Sequence, residues 1–268
     1  MKKLSTTLIL SPLLFLLSSH ELFLRADSYF FEKNSLVELS LVNGTFDEGE
    51  NVITRDRIIN AKVLGPNYDF KPSAENYYDK DETTILKFKT GNAGTYVAGV
   101  STKPSVIELS GKDFTAYLEH EGLTEVMSDR KTEGISHQAA HEKYSKHVKA
   151  LIQVDERRTD NFSTQLDYPI EFIPLKNPYK LSVEDTMSFK LLYRGEPLSN
   201  QTVHVSSRKN LSEKDTEETS LRTNKRGEVS FTIGNKGRWY IATIHMLESG
   251  DEDIDYESNW ATLTFEVK

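Results

Sequence analysis

Along most of this chain apolar and polar residues alternate in short runs with a period near two. Leu36-Val37-Glu38-Leu39-Ser40-Leu41 partly alternates and runs into an Asn43-Gly44 turn signal. Ile85-Leu86-Lys87-Phe88-Lys89 alternates before Gly91-Asn92-Ala93-Gly94, and Tyr96-Val97-Ala98-Gly99-Val100 follows as another strand candidate. Further on, Tyr168 to Pro174 reads as an extended segment limited by prolines. Met187, Phe189, Leu191 and Tyr193 alternate cleanly before Arg194-Gly195-Glu196-Pro197 turns the chain. Val203-His204-Val205 and, after a turn at Asn224 to Gly227, Val229 to Ile233 add two more strands. Glu213 to Glu218 is too charged for a core and reads as a solvated loop.

The middle of the chain has a different period. Ser110 and Asp113 resemble a capping box, in which a serine oxygen and a carboxylate satisfy free N–H groups at a helix start, and Phe114, Tyr117 and Leu118 follow at helical spacing. Ser128 to Gly134 is polar and predicts a loop. From Ser136 a second helix is expected, because His137, His141, Tyr144, Val148 and Leu151 follow one another by four, three, four and three. Asp155 to Asp160 is a charged link to the second strand-rich half.

The two halves echo each other. Lys87 to Tyr96 can be laid over Ser230 to Trp239, so that strand, Gly-Asn-x-Gly turn and an aromatic two residues later recur. Such an echo predicts a β-hairpin near the end of each of two sandwich domains. The fold expected is therefore mainly β, with two immunoglobulin-like or prealbumin-like sandwiches at 20–109 and 161–268 and a helical connector at 110–160.

The first nineteen residues stand apart. Lys2 and Lys3 precede an apolar run from Leu8 to Leu17 that closes on Ser18 and Ser19, the order of a secretory signal peptide. The run is short of the ~20 residues that span a bilayer, and Glu21 and Arg25 end it. A signal at 1–19 leaves a periplasmic or secreted protein with no transmembrane segment in the mature chain, and with His20 as its first residue. Removal takes away two lysines and no acid, so the formal charge moves from -8 to -10. That acidity argues against nucleic-acid partners, which need clustered Lys and Arg. Cysteine is absent, so disulfides, thiol catalysis and thiolate metal sites are excluded, and stability must come from packing.

Several stretches resemble a bacterial exported family of largely unknown function associated with nickel and cobalt uptake. They are His20 to Leu24; Gly94-Thr95-Tyr96 through Ser105; Phe114 to Leu123; Tyr144 to Leu151; Tyr168 to Pro174; Gly195-Glu196-Pro197-Leu198; and Gly237-Arg238-Trp239 into His245. The resemblance implies an immunoglobulin-like, metal-related periplasmic protein, with metal-transport components at the membrane as partners and no established reaction.

Candidate chemistry lies in the seven histidines, at 20, 120, 137, 141, 147, 204 and 245, because neutral imidazole is the natural ligand for copper, nickel and cobalt. As a mature first residue, His20 can chelate one ion through its amine and its ring, since the α-amino pKa is only about 7.7–8. His245 is the first candidate for a second imidazole completing a brace-like site. His137 and His141 form a rival site, four apart on the expected helix. His147 falls off that stripe and is expected to face solvent, and His120 to be an exposed helix residue or a partner behind the ligands.

Enzyme signatures fail. His-Glu occurs at 20, 120 and 141, but a metalloprotease helix needs another His four residues after the first, where Leu24, Thr124 and Ser145 stand. Glycine patterns for nucleophile elbows, phosphate loops and dinucleotides are absent. Asp251, Asp253 and Asp255 begin like a calcium loop, but Tyr256 and Thr262 occupy its Gly and Glu positions. Two readings remain: a non-catalytic periplasmic binding protein for a transition metal (copper, nickel or cobalt), and a surface or carbohydrate-binding, adhesin-like module without metal. Convergence of His20 and His245 favours the first, and exposed Trp and Tyr platforms the second.

Overall fold

In a computed structural model describing residues 21–209 and 218–268, the first half contributes nine strands. They are β1 (Glu21–Arg25), β2 (Phe30–Phe31), β3 (Leu36–Gly44), β4 (Ile58–Gly65), β5 (Tyr68–Phe70), β6 (Tyr77–Lys80), β7 (Thr83–Lys89), β8 (Gly94–Thr102) and β9 (Ser105–Leu109). Helices α1 (Gly111–His120) and α2 (Thr124–Thr132) follow, then the long strand β10 (Ala140–Val154). The second half holds β11 (Ile170–Pro174), β12 (Thr186–Tyr193), β13 (Glu196–Pro197), β14 (Thr202–Arg208), β15 (Thr219–Arg222), β16 (Glu228–Thr232), β17 (Gly237–Glu248) and β18 (Tyr256–Val267). The mainly β, sandwich-like architecture expected from the alternation is the one found.

Three sheets are formed among the described residues. A central ten-stranded sheet runs β15-β14-β17-β18-β10-β8-β4-β5, with β2 and β9 also on β10. Four-stranded sheets β1-β3-β7-β6 and β11-β12-β13 with β16 cover it. The halves join where β10 and β18 pair in parallel, from Glu142 opposite Tyr256 to Ala150 opposite Thr264. Successive strand residues point to opposite faces, and β18 shows that the two covers lie on opposite sides. Thr262 and Thr264 donate to the Leu22 and Leu24 carbonyls of β1 at 2.7 and 2.5 Å. Phe265 meets Phe189 of β12 with centroids 5.9 Å apart. A two-fold axis along the strand direction relates parallel neighbours covered on opposite faces, the arrangement an internal duplication would leave.

The sequence echo is real, but its turns are not hairpins. β7 belongs to the first cover sheet and β8 to the central one; β16 and β17 divide in the same way. Each Gly-Asn-x-Gly turn therefore carries the chain from one layer to the other, and each is fastened identically. Tyr96 Oη donates to the Asn92 carbonyl at 2.7 Å, and Trp239 Nε1 donates to the Asn235 carbonyl at 3.1 Å. The second glycine is required by close approach. A Cβ at Gly94 would meet Pro66 Cγ at 2.3 Å, and at Gly237, where φ is 125°, the Arg208 carbonyl at 2.2 Å.

Two expectations for the middle of the chain are overturned. The stretch from Ser128 belongs largely to α2, and the expected second helix is β10. That strand is flanked on both edges by other strands and covered on both faces, so Val148, Ala150 and Ile152 are as deeply buried as Leu151. Apolar residues then occupy both parities, which erases the alternation and lets a helical spacing show through. The Ser110 cap holds: its Oγ accepts from the Asp113 N–H at 3.2 Å, and Phe114 and Leu118 bury against Tyr256 and Trp260.

Candidate functional site

The histidines scatter once the chain is folded. His20 lies outside the described residues. His245, on β17, has Nδ1 3.0 Å from Gln201 Oε1 and its ring edge-on to Tyr193 at 4.5 Å. Burial holds its pKa below the ordinary value; Glu125 opposes that shift and Arg194 adds to it. His137 is exposed in a turn, and His141 sits in β10. His141 lies beside Asp255 at 3.4 Å and Glu108 at 3.8 Å. In place of a helical pair one turn apart, the chain is extended from Ala140, and strand residues advance about 3.3 Å each. His147 is not at the surface. It is 3% exposed, with Nε2 3.2 Å from Asn259 Oδ1 and Nδ1 2.8 Å from Ser101 Oγ. Burial pushes its pKa down to about 4, so the ring is neutral and ties β8, β10 and β18 together.

A different set of groups converges at the start of β1. Glu21 and Phe23 share one face of that strand, and Phe23 packs on Tyr240 of β17, with ring centroids 5.0 Å apart. Tyr240 Oη donates to Glu218 Oε2 at 2.7 Å, and the other oxygen of Glu218 is 3.0 Å from His204 Nδ1 on β14. Ser220 Oγ is 3.2 Å from the same ring nitrogen. From the end of α1 come Glu121, 6% exposed, and His120, whose Nδ1 lies 3.0 Å from Glu121 Oε1. His204 Nε2 reaches the Glu121 carbonyl at 3.5 Å. Paired cross-strand residues share a face, and His204 is opposite Ala242. His245, three residues beyond Ala242, therefore points to the other face of the sheet, away from Glu21.

The electrostatics of this corner are unbalanced. Burial, then the charges of Glu121 and Glu218, raise the Glu21 carboxyl to about 8, with His204 and Lys146 pulling the other way. For His204, burial opposes the imidazolium, but the Glu218 hydrogen bond and charge, helped by Glu121 and Glu21, outweigh it and hold the ring at about 9. Glu218, with its side chain 42% exposed, is depressed: partial desolvation pushes it up, but the hydrogen bonds that His204 and Tyr240 donate outweigh that. At neutral pH the corner thus holds a protonated Glu21 and a charged His204 paired with the Glu218 carboxylate.

A pH dependence follows. The folded His204 pKa lies above the unfolded value near 6.5, so its stabilisation is complete below that pH and lost as pH rises through about 9. Glu21, neutral when folded up to about 8, works in the same direction from its unfolded value near 4.5 upward. Thermal melts should therefore show stability falling by on the order of 3 kcal/mol between pH 6 and 9. Glu21→Gln should flatten part of that slope. A melting temperature level across this window in the unsubstituted protein contradicts the assignment.

Carboxylates and imidazoles are donors of the type that nickel, cobalt and copper accept. Among the described residues, however, no three His, Asp or Glu side chains are placed to hold a metal ion unaided. His20, which precedes Glu21 in the chain, lies outside the described residues. Sequence reasoning missed Glu21, Glu121, His204, Glu218 and Tyr240. The signals present were the His-Glu dipeptides at 20 and 120, set aside when the protease spacing failed.

Two sandwich halves side by side in one central sheet, with a polar corner where the first strand begins, define the class of protein as a mainly β double sandwich. By its sequence the chain belongs to the family described as "Domain of unknown function (DUF4198)", whose model matches residues 17–247. No curated protein matches the sequence. Among solved structures it is similar to the D0-D1 domain of intimin, at 11% identity over 91% of this chain and 97% of that one, with a TM-score of 0.22. It is also similar to Salmonella alpha-2-macroglobulin reacted with methylamine, at 10% identity over 91% of this chain and 15% of that one, with a TM-score of 0.27. Superpositions this loose carry no function across. No helix among the described residues is long and apolar enough to cross a membrane.

Proposed function

We propose that this chain is an exported, non-catalytic protein that binds a transition-metal ion (copper, nickel or cobalt) and serves uptake or delivery through transport components at the membrane. The donors are His20, through amine and ring, with His204, His120 and the carboxylates of Glu21, Glu121 and Glu218. This set replaces His245, His137 and His141, which stand apart from the start of β1. The observation that carries the reading is the convergence of three carboxylates and two imidazoles from four separate elements around the residue that follows His20. Burial and the charges of Glu121 and Glu218 outweigh His204 and Lys146, so the Glu21 carboxyl keeps its proton near neutral pH.

The adhesin-like alternative would want exposed aromatic rings; among the described residues Trp239 and Trp260 are only 6% and 8% exposed, while five of the tyrosines are half-buried. Titration of protein beginning at His20 with Cu²⁺, Ni²⁺ or Co²⁺ should give one equivalent bound, with proton release that grows when the buffer pH is lowered from 8 to 6.5. Absence of saturable binding for all three ions rejects the proposal.

A further inference from the structure

We propose that a second site, the cavity where the two halves meet, binds a neutral polyhydroxylated ligand, a sugar of one or two rings. The cavity encloses about 520 Å³, within the ordinary range of ligand pockets. Its floor is the stretch where β10 and β18 pair in parallel, with Lys143 opposite Glu257 and Ser145 opposite Asn259. Alternate residues of a strand share a face, so Lys149 lies on the same face, and there β11 covers it through the Glu171 pair. The cavity opens where that cover stops. Its walls are the link before β11, at 165–169, and the turn Arg194-Gly195. The Arg194 N–H donates to the Pro169 carbonyl at 2.7 Å, and Tyr168 Oη to the Asn60 carbonyl at 2.8 Å, so both walls are tied in place.

The floor carries donors that are already oriented. His147 Nε2 lies 3.2 Å from Asn259 Oδ1, and Nδ1 lies 2.8 Å from Ser101 Oγ. An amide oxygen only accepts, so Nε2 holds the proton and Nδ1 accepts from the serine. Burial, which pushes this pKa down to about 4, keeps the ring in that neutral form. The relay locks Asn259 with its oxygen on the ring and both Nδ2 hydrogens turned away from it. Among the described residues nothing accepts those hydrogens. Asn259 is half-buried and lines the cavity, so an occupant can reach them. Ser145 is half-buried beside it, and its Oγ has no partner among the described residues. That hydroxyl can both donate and accept.

The charges of the lining are matched, which points to a neutral ligand. Glu257 Oε1 is 2.7 Å from Lys143 Nζ, Glu171 Oε2 is 2.9 Å from Lys149 Nζ, and Asp167 Oδ2 is 3.7 Å from Lys62 Nζ. Arg194 is the lining cation with no carboxylate at ion-pair distance among the described residues. It is exposed at the mouth, its guanidinium carbon 5.1 Å from the Tyr193 centroid. A charged ligand would have to break one of the pairs or rely on that single solvated cation, and exposed ion pairs contribute little. Hydroxyl groups need neither. Because each donates and accepts, they can take up the Asn259 N–H groups, Ser145 and the second oxygen of Glu257 together. Pro104 and Pro169 offer apolar contact for the C–H face of a sugar ring.

The test uses the chain starting at His20 in excess EDTA, so that its outcome is independent of metal binding. Glucose, galactose, mannose, maltose and lactose are each titrated into it and followed by NMR. At least one should bind saturably with a Kd of about 1 mM or tighter and should move the Asn259 side-chain amide signals. Its affinity should stay within about twofold between roughly 50 and 500 mM salt, because a neutral ligand has no charge to screen. Asn259→Leu should weaken that sugar at least tenfold, since the ligand's hydroxyl loses its donor in a partly desolvated site. Ser145→Ala leaves the His147 relay intact and should weaken it about threefold or more, which keeps the proposal testable should the first variant fold poorly. Absence of binding by all five sugars, unchanged affinity in either folded variant, or shifts confined to other residues overturns the site. Glycine or glutamate binding at Asn259 more tightly than every sugar, or a strong salt dependence, overturns the neutral-ligand assignment.

Discussion

One extra residue ahead of His20 is expected to weaken transition-metal binding by on the order of 100-fold. The extension converts the terminal amine into an amide, which removes a donor whose proton a metal displaces easily near neutral pH. It leaves every described residue in place, so melting temperature and circular dichroism should not change. Glu218→Gln offers an independent arm. It removes a carboxylate counted among the donors that also holds His204 at 3.0 Å, so affinity should fall by at least the roughly 10–100-fold that loss of an orienting partner alone costs. Calorimetric titration of the three proteins decides the matter. Equal affinity with and without the extension removes the N-terminal amine from the site, and equal affinity in Glu218→Gln removes the corner.

The largest effect on stability is expected at the junction of the halves. Lys149 of β10 and Glu171 of β11 form an ion pair at 2.9 Å, with side chains only 1% and 3% exposed. The remaining bonding capacity is used: Lys149 donates to the Phe172 carbonyl at 3.0 Å, and Glu171 accepts from the Leu166 and Asp167 N–H groups at 3.0 and 3.1 Å. Lys149→Met therefore strands a buried carboxylate and should cost about 3–5 kcal/mol in chemical denaturation. The double change Lys149→Met with Glu171→Leu should recover a large part of that loss, because two apolar groups need no desolvation of charge. A single-substitution cost below about 1 kcal/mol would show that the pair is not a clasp between the halves.

The strands with one solvated face were legible from alternation, as at Met187 to Tyr193, and so was the duplicated turn at Asn92 and Asn235. The exceptions have physical causes. β10 lost its period because both its faces are covered, and α2 was hidden because its surface is polar nearly all round. The layer-crossing role of the echo could not be read locally, since a turn that pairs its flanking strands and one that separates them share residues. The corner at Glu21 was illegible for a related reason: its members lie nearly 220 residues apart, and only the parallel pairing of β10 with β18 brings them together. His204 stood in a plain apolar strand, and nothing in that pattern marks its contact with Glu218.

The central claim is that the cation site includes the free amine of His20. Intact-mass and native mass spectrometry of protein recovered from the exported fraction test it most directly. The account predicts a chain that begins at His20 and carries one copper, nickel or cobalt ion, released together with its donors' coordination when the sample is acidified. A chain that begins at any other residue and still retains a stoichiometric metal, or one that begins at His20 and takes up none when supplied with each ion, would contradict it.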